Sequence, residues 1–220
     1  MLGPNQIRNQ IERLIADLIG VGLCDEQHFP SIKKVGDEVF EVVCGASDGL
    51  SLALKDIAYT ELYDEMERLS LFGIKMLDGA FISLHYRFEA NSIVAHRLAF
   101  FPSPHLEEFQ NNPEIYIEDD VYAEIVSKSI VPFPLRFDYD SNPDVCREIY
   151  HPKSHLTLGQ YKNCRIPASS ALTPFKFLDF VLRNFYHTSF YSCVDRLSRF
   201  EEIFDASIFE AEKSLIHINI

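Results

Sequence analysis

Between residues 5 and 19, Ile7, Ile11, Leu14, Ile15, Leu18 and Ile19 recur every three or four positions. That spacing puts them on one face of an amphipathic helix, and Gly20 and Gly22 stand where it should end. Two short strands follow, the second at residues 39–44, with a turn near Val35-Gly36-Asp37. Residues 45–49 break the pattern, and Leu50, Leu52 and Leu54 alternate as a strand would. Thr60 is placed to cap a helix carrying Leu62, Met66 and Leu69, with acidic residues in its first turns.

From 73 to 101 the alternation has a period of two and reads as a three-stranded meander. Asp78-Gly79 is a hairpin turn, and residues 89–92 form the second connection. In its central strand Ile82, Leu84, Tyr86 and Phe88 fall on one face, against Phe81, Ser83, His85 and Arg87 on the other. Prolines make 102–120 a loop, and a short helix is predicted near 121–128. Residues 131–139 alternate again, but Pro132 and Pro134 cannot donate ladder bonds, so this strand starts late or lies at an edge. A further strand covers 154–158.

Thr173-Pro174 opens a helix over about 174–188, apolar nearly all round and therefore buried. Val194, Leu197, Phe200, Phe204, Ile208 and Ala211 predict a last helix over 192–213, and the tail 215–220 alternates like an edge strand. The expectation is one α+β domain over 1–220: a largely antiparallel sheet, made of the meander 73–101 and strands near 39–44, 131–139 and 154–158, packed against N- and C-terminal helices.

Composition narrows the class. The 220 residues are 47% hydrophobic and 24% charged, with 18 Phe, 10 Tyr and no Trp, enough for a sizeable core. No apolar run reaches membrane-helix length, and the polar N-terminus lacks a signal-peptide run. Five scattered cysteines without a Cys-x-x-Cys pair argue against a disulfide framework or zinc knuckle and point to the cytoplasm. The net charge of −13 argues against a general nucleic-acid coat. It is unevenly spread, however. Residues 131–200 hold nine Lys and Arg against six Asp and Glu, whereas the other 150 residues hold 11 against 27. Nucleic acid or another anion could therefore be met only through a local patch in 131–200.

That patch holds the candidate chemistry. Alternation places Arg136, Asp138 and Asp140 on one strand face, and His155 with Thr157 on one face of the later strand. If the strands pair, Asp138 and Asp140 with His151 or His155 make an oxygen and nitrogen donor set suited to a divalent metal. Without a metal, an imidazole serves as general base while Arg136 or Arg165 holds a charged oxygen. Catalytic roles are thus expected of Asp138, His151, His155 and Arg136, and ligand binding of Arg165 and Asp140. The structural alternative makes Arg136 and Asp138 an ion pair, Asp140 and Asn142 turn residues beside Pro143, and the imidazoles caps on the sheet rim.

Two smaller constellations stand outside this group. His85, Arg87, His96 and Arg97 either join the same cleft or occupy the wet face of the sheet, the latter being favoured. Lys176, Asp179, Arg183 and His187 form a polar stripe along the apolar helix. Arg183-Asn184-Phe185-Tyr186-His187 resembles the Arg-polar-x-x-x-His motif of HEPN ribonucleases with the His one residue early; a helical salt bridge from Asp179 to Arg183 is the plainer account.

Residues 95–104, the Arg136-Phe-Asp-Tyr-Asp140 strand and His151-Pro-Lys-Ser-His-Leu-Thr-Leu-Gly159 with Cys164-Arg-Ile-Pro167 resemble a bacterial family defined only as a domain of unknown function. The resemblance covers nearly the whole chain, implies a bacterial cytoplasmic protein, and supplies no activity. Three functions remain open. One is a defence or toxin-type effector, such as a small nuclease, acting on a phosphate-containing substrate. The second is a non-catalytic subunit that binds a protein partner or a second copy of itself, and the third is a sensor of a small anion.

Overall fold

The computed structural model describes residues 2–45, 57–105, 132–161 and 163–220. Helix α1 (Pro4–Gly20) begins with proline in its first turn, where no intrahelical N–H is required. It ends in paired bonds from Leu23 N–H to the Leu18 carbonyl and from Gly22 N–H to the Ile19 carbonyl, with Gly22 at φ +76°. This reciprocal closure needs a left-handed residue, which glycine adopts without a Cβ penalty.

Nine strands among the described residues form one antiparallel sheet. They are β1 (Cys24–Gln27), β2 (Ser31–Gly36), β3 (Val39–Cys44), β4 (Ile74–Met76), β5 (Phe81–Glu89), β6 (Ser92–Phe101), β7 (Leu135–Asp140), β8 (Ser154–Leu158) and β9 (Ile166–Pro167). The path runs β1-β4-β5-β6-β7-β8-β9, while β3 joins the far end of β5 and carries β2 outside it. The fold is α+β, as the alternation predicted. The predicted meander is β4-β5-β6, and β7 starts at Leu135, just past the two prolines that delay it. The short β1 and β9 lacked enough residues to show a period. The alternating segment 50–54, the predicted loop of 102–120 beyond His105 and the helix at 121–128 lie outside the described residues.

One sheet face is covered by α1 and by α3 (Pro174–Phe185), whose first turn is capped by Thr173 Oγ1 accepting from Lys176 N–H at 3.3 Å. Ile7, Ile11, Ile15, Phe177, Leu178 and Val181 pack there against Val42, Leu84, Tyr86, Leu98, Phe137 and Leu156. Each fully buried apolar side chain of this size contributes roughly 2 kcal/mol. Two sheet residues fasten the chain leading into α3. The Tyr86 hydroxyl donates to the Leu172 carbonyl (3.1 Å), and His96 Nε2 accepts from the Leu172 N–H (2.9 Å). His96 is therefore a buried core residue on the face opposite Arg97, which corrects its expected wet-face position: adjacent strand residues cannot share a face.

Half of the other sheet face is covered by α2 (Tyr59–Arg68), which begins at Tyr59, with Ala58 rather than Thr60 at the cap position. Leu62, Tyr63 and Met66 pack on Phe72, Phe81, Ala99 and Phe101, with Tyr63 and Phe72 each stacked on Phe81 at 4.5 and 4.6 Å. The remaining half of this face carries the polar residues described below. At the β4–β5 turn, buried Asp78 lies 2.8 and 2.9 Å from the Tyr186 hydroxyl through its two oxygens. Burial pushes its carboxyl pKa up, against the opposing pull of the bonds it accepts from Tyr186 and from the Ala80 N–H.

The C-terminal third departs from the predicted long helix. Helix α3 stops at Phe185, α4 (His187–Cys193) follows, and the chain then makes a 3₁₀ turn at Val194–Arg196, an extended strap and a second 3₁₀ turn at Glu210–Ser214. Val194, Leu197, Phe200 and Phe204 still pack on the core. Their spacing suits a strap that dips inward every third or fourth residue as well as it suits a helix. Long-range bonds decide the outcome: Ser198 N–H donates to the Asp17 carboxylate at 2.7 Å, and Ser207 N–H to the Ser169 carbonyl at 2.9 Å. The tail forms a single parallel bridge, Ile218 to Ala168, rather than an edge strand. No helix among the described residues is long and apolar enough to cross a membrane.

Candidate functional site

The half of this sheet face that α2 does not cover is organised by register. Antiparallel pairing sets Arg97 opposite both His85 and Asp138, and Asp138 opposite His155. His85, Arg97, Asp138 and His155 thus form one row across β5, β6, β7 and β8. Arg136 stands two residues from Asp138 on the same face, and the next row brings Arg87 opposite Glu41. All six residues expected from sequence to form a site, Arg136, Asp138, Asp140, His151, His155 and Arg165, line one cleft of about 400 Å³ together with Glu41, His85, Arg87 and Arg97.

Asp138 is the hub. Its Oδ1 accepts from Arg97 Nε at 3.1 Å and its Oδ2 from Arg136 Nε at 2.5 Å, with the carboxylate side chain 15% exposed. Burial works to raise the Asp138 pKa, but the Arg136 and Arg97 guanidinium groups outweigh it and hold the carboxyl below the ordinary range. Asp138 is therefore a fixed anion and not a proton acceptor at neutral pH. Among the described residues, the hydrogen bonds of these two guanidinium groups all run from Nε to Asp138, so their η nitrogens retain unspent donors.

His155 is buried, and its Nδ1 lies 3.0 Å from the Pro152 carbonyl. A carbonyl only accepts, so Nδ1 carries the proton in the neutral ring and Nε2 presents a lone pair. Nε2 is 3.8 Å from Asp138 Oδ2. Burial depresses the His155 pKa to about 4, against the opposing pull of Asp138. His151 meets the His155 ring edge-on at 5.3 Å, and its own pKa is lowered by burial and by Arg165. At neutral pH His155 and His151 are thus uncharged imidazoles beside a locked carboxylate.

Asp140 does different work. Its Oδ1 accepts from Asn142 N–H at 2.8 Å, and Asn142 Oδ1 in turn accepts from Asp144 N–H at 3.0 Å, the arrangement of consecutive side-chain-capped turns. On the far side, His85 Nε2 is 3.5 Å from Glu41 Oε2, longer than a good hydrogen bond, and burial lowers the His85 pKa against the pull of Glu41. Glu41 was not singled out from the sequence, though a charge inside Val39-Phe-Glu-Val-Val43 was the available signal. Among the described residues no three His, Cys, Asp or Glu side chains converge closely enough to hold a metal ion. Both oxygens of Asp138 are moreover already held by guanidinium groups, so the donor set does not fit the divalent metal considered from sequence.

The stripe on α3 resolves as an ion pair, Arg183 Nε to Asp179 Oδ2 at 2.7 Å, with the guanidinium over the Phe190 ring at 4.5 Å. His187 begins α4 beyond the break at Tyr186 and packs on Tyr191. The spacing likened to the HEPN motif therefore spans two helices.

Fold and site together define an α+β protein whose antiparallel sheet carries an arginine-rich cleft on the half of one face left open by α2. The chain belongs to the family described as an uncharacterised conserved protein, DUF2290, which matches residues 23–220. No curated protein and no solved structure matches the chain.

Proposed function

We propose that the cleft binds a phosphate-bearing substrate and that His155 accepts a proton during cleavage of a phosphate ester. The observation that carries this reading is the pair of guanidinium groups, Arg97 and Arg136, fixed through Nε by one carboxylate, with no hydrogen bond from their η nitrogens to any described residue. Such planar forks match phosphate oxygens in a way that point charges do not. The lining carries four arginines against three carboxylates, a local positive excess on a chain of net charge −13.

In the reaction, His155 Nε2 removes a proton from a water attacking phosphorus. The P–O ester bond breaks, and the departing alkoxide takes a proton from solvent. A bound phosphate raises the His155 pKa toward neutrality by its negative charge, and the Asp138 carboxylate, 3.8 Å from Nε2, stabilises the ring once it is charged. A small bacterial cytoplasmic nuclease of the defence or toxin type is the fuller form of this reading. A non-catalytic subunit that binds a protein partner is favoured instead by the exposed apolar residues Ile203 and Ile216 near the C-terminus.

Hydrolysis of bis(4-nitrophenyl) phosphate tests the proposal. The wild type should turn it over, and His155→Gln should lower the rate on the order of a hundredfold or more while pyrophosphate binding persists. Equal rates in the two proteins would remove His155 from the chemistry. Pyrophosphate binding without any turnover in the wild type would mark an anion sensor.

A further inference from the structure

Beside the cleft, residues 142–151 form a loop held far more firmly than its exposure requires. Arg147 and His151 exchange backbone hydrogen bonds of 3.0 and 2.7 Å, closing a tight hairpin around Ile149 and Tyr150. Ile149 sits at φ +69°, a left-handed conformation that costs a β-branched residue roughly 1–3 kcal/mol. Its N–H donates to Glu212 Oε1 at 3.1 Å, and Glu212, fully buried, accepts from Phe209 N–H through its other oxygen. In return Ala211 N–H donates to Glu148 at 3.3 Å. Two segments 63 residues apart thus fix a strained hairpin tip.

The consequence is the placement of two neighbours. His151 enters the cleft, while Tyr150 is 80% exposed with its carbonyl accepting from Arg165 Nη1 at 3.3 Å. A solvent-facing phenol one residue from a cleft imidazole, on a backbone whose carbonyl is held by a cleft arginine, is too exposed to serve packing. It offers an aromatic face at low entropic cost, the element that single-stranded nucleic-acid sites combine with cationic grooves.

We propose that the substrate is a nucleoside phosphate in single-stranded form, its base stacked on Tyr150 and its phosphate on the Arg97 and Arg136 forks. The proposal rests on the reading of the cleft as a phosphate site and names the group that the phosphate carries. A duplex is disfavoured because its bases are already stacked, and the acidic surface elsewhere limits contact to a short stretch of strand.

Calorimetric titration of inorganic phosphate, AMP and a short oligothymidylate into the wild type, Tyr150→Phe and Tyr150→Ala tests this. AMP should bind the wild type about tenfold to a hundredfold more tightly than phosphate. Tyr150→Ala should erase that difference without changing phosphate affinity, and Tyr150→Phe should keep it. An oligonucleotide advantage over AMP that Tyr150→Ala also erases identifies a strand as the source, and equal affinities identify a free nucleotide. Phosphate binding with no AMP advantage, or an advantage that survives Tyr150→Ala, overturns the base platform and leaves the cleft reading standing. Failure of all three ligands to bind overturns both.

Discussion

Asp138→Asn is expected to destabilise the protein by about 3 kcal/mol at pH 7, within the range for breaking a buried ion pair and reduced for the partial exposure of Arg97. Asparagine keeps the shape but removes the charge, leaving two guanidinium groups on the sheet without their counter-ion. Its amide NH2 must moreover face a donor. The midpoint of thermal unfolding should fall by roughly 6–12 °C for a chain of this length. The pH dependence follows from the direction of the shift. Because the folded-state pKa of Asp138 is depressed, its contribution is fully present above the unfolded value near 4 and is lost as pH falls through the lower folded value. Urea unfolding should therefore separate the two proteins at pH 7 and bring them together in strong acid. A variant within about 0.5 kcal/mol of the wild type at pH 7 would mean that solvent alone satisfies Arg97 and Arg136.

Acidification should unfold the wild type early, because two buried imidazoles resist the proton. Burial depresses the pKa of His96 to about 3 and that of His155 to about 4. His96 uses Nε2 as an acceptor toward Leu172 N–H, an arrangement that only a deprotonated Nε2 sustains. In the unfolded chain both rings charge near pH 6.5, so below that value the unfolded state binds protons that the folded state refuses. Each ring then removes on the order of 3 kcal/mol of stability by pH 4. Chemical denaturation at pH 7, 5.5 and 4.5 should show a steep decline. In His96→Gln, whose side-chain carbonyl can still accept from Leu172, that decline should be shallower by the share of one ring. A decline of equal slope in the two proteins would show that His96 charges in the folded state.

Much of this architecture is written in periodicity. The α1 stripe, the meander, the late start of β7 and the Thr173-Pro174 helix start are local signals, each readable from residues that are near neighbours in sequence. The grouping of Arg136 with Asp138, and of His155 with Thr157, also follows from alternation alone. What alternation cannot supply is register. That Arg97 lies opposite Asp138 is fixed by pairing across 41 residues, and it converts a single ion pair into a two-fork cradle. The separation of His96 from Arg97 also follows from alternation, and grouping the two by the likeness of their side chains overlooks it. The segment 194–213 misled for the opposite reason: apolar residues every three or four positions satisfy a helix or a dipping strap equally. The choice was made by Asp17 and Ser169, which capture backbone N–H groups of the strap from far away in sequence. The strained hairpin at Ile149 carried no local warning, since its stabilising partner, Glu212, lies 63 residues away.

The direct test of the two-fork cradle is calorimetric titration of pyrophosphate at pH 7 and low salt into the wild type and Arg136→Lys. Lysine keeps the positive charge, and with it a counter-ion for Asp138, but loses the planar fork. One-to-one binding to the wild type, weakened at least about tenfold in Arg136→Lys with the unfolding midpoint little changed, is the expected result. No saturable binding to the wild type, or the same affinity in both proteins, would contradict it.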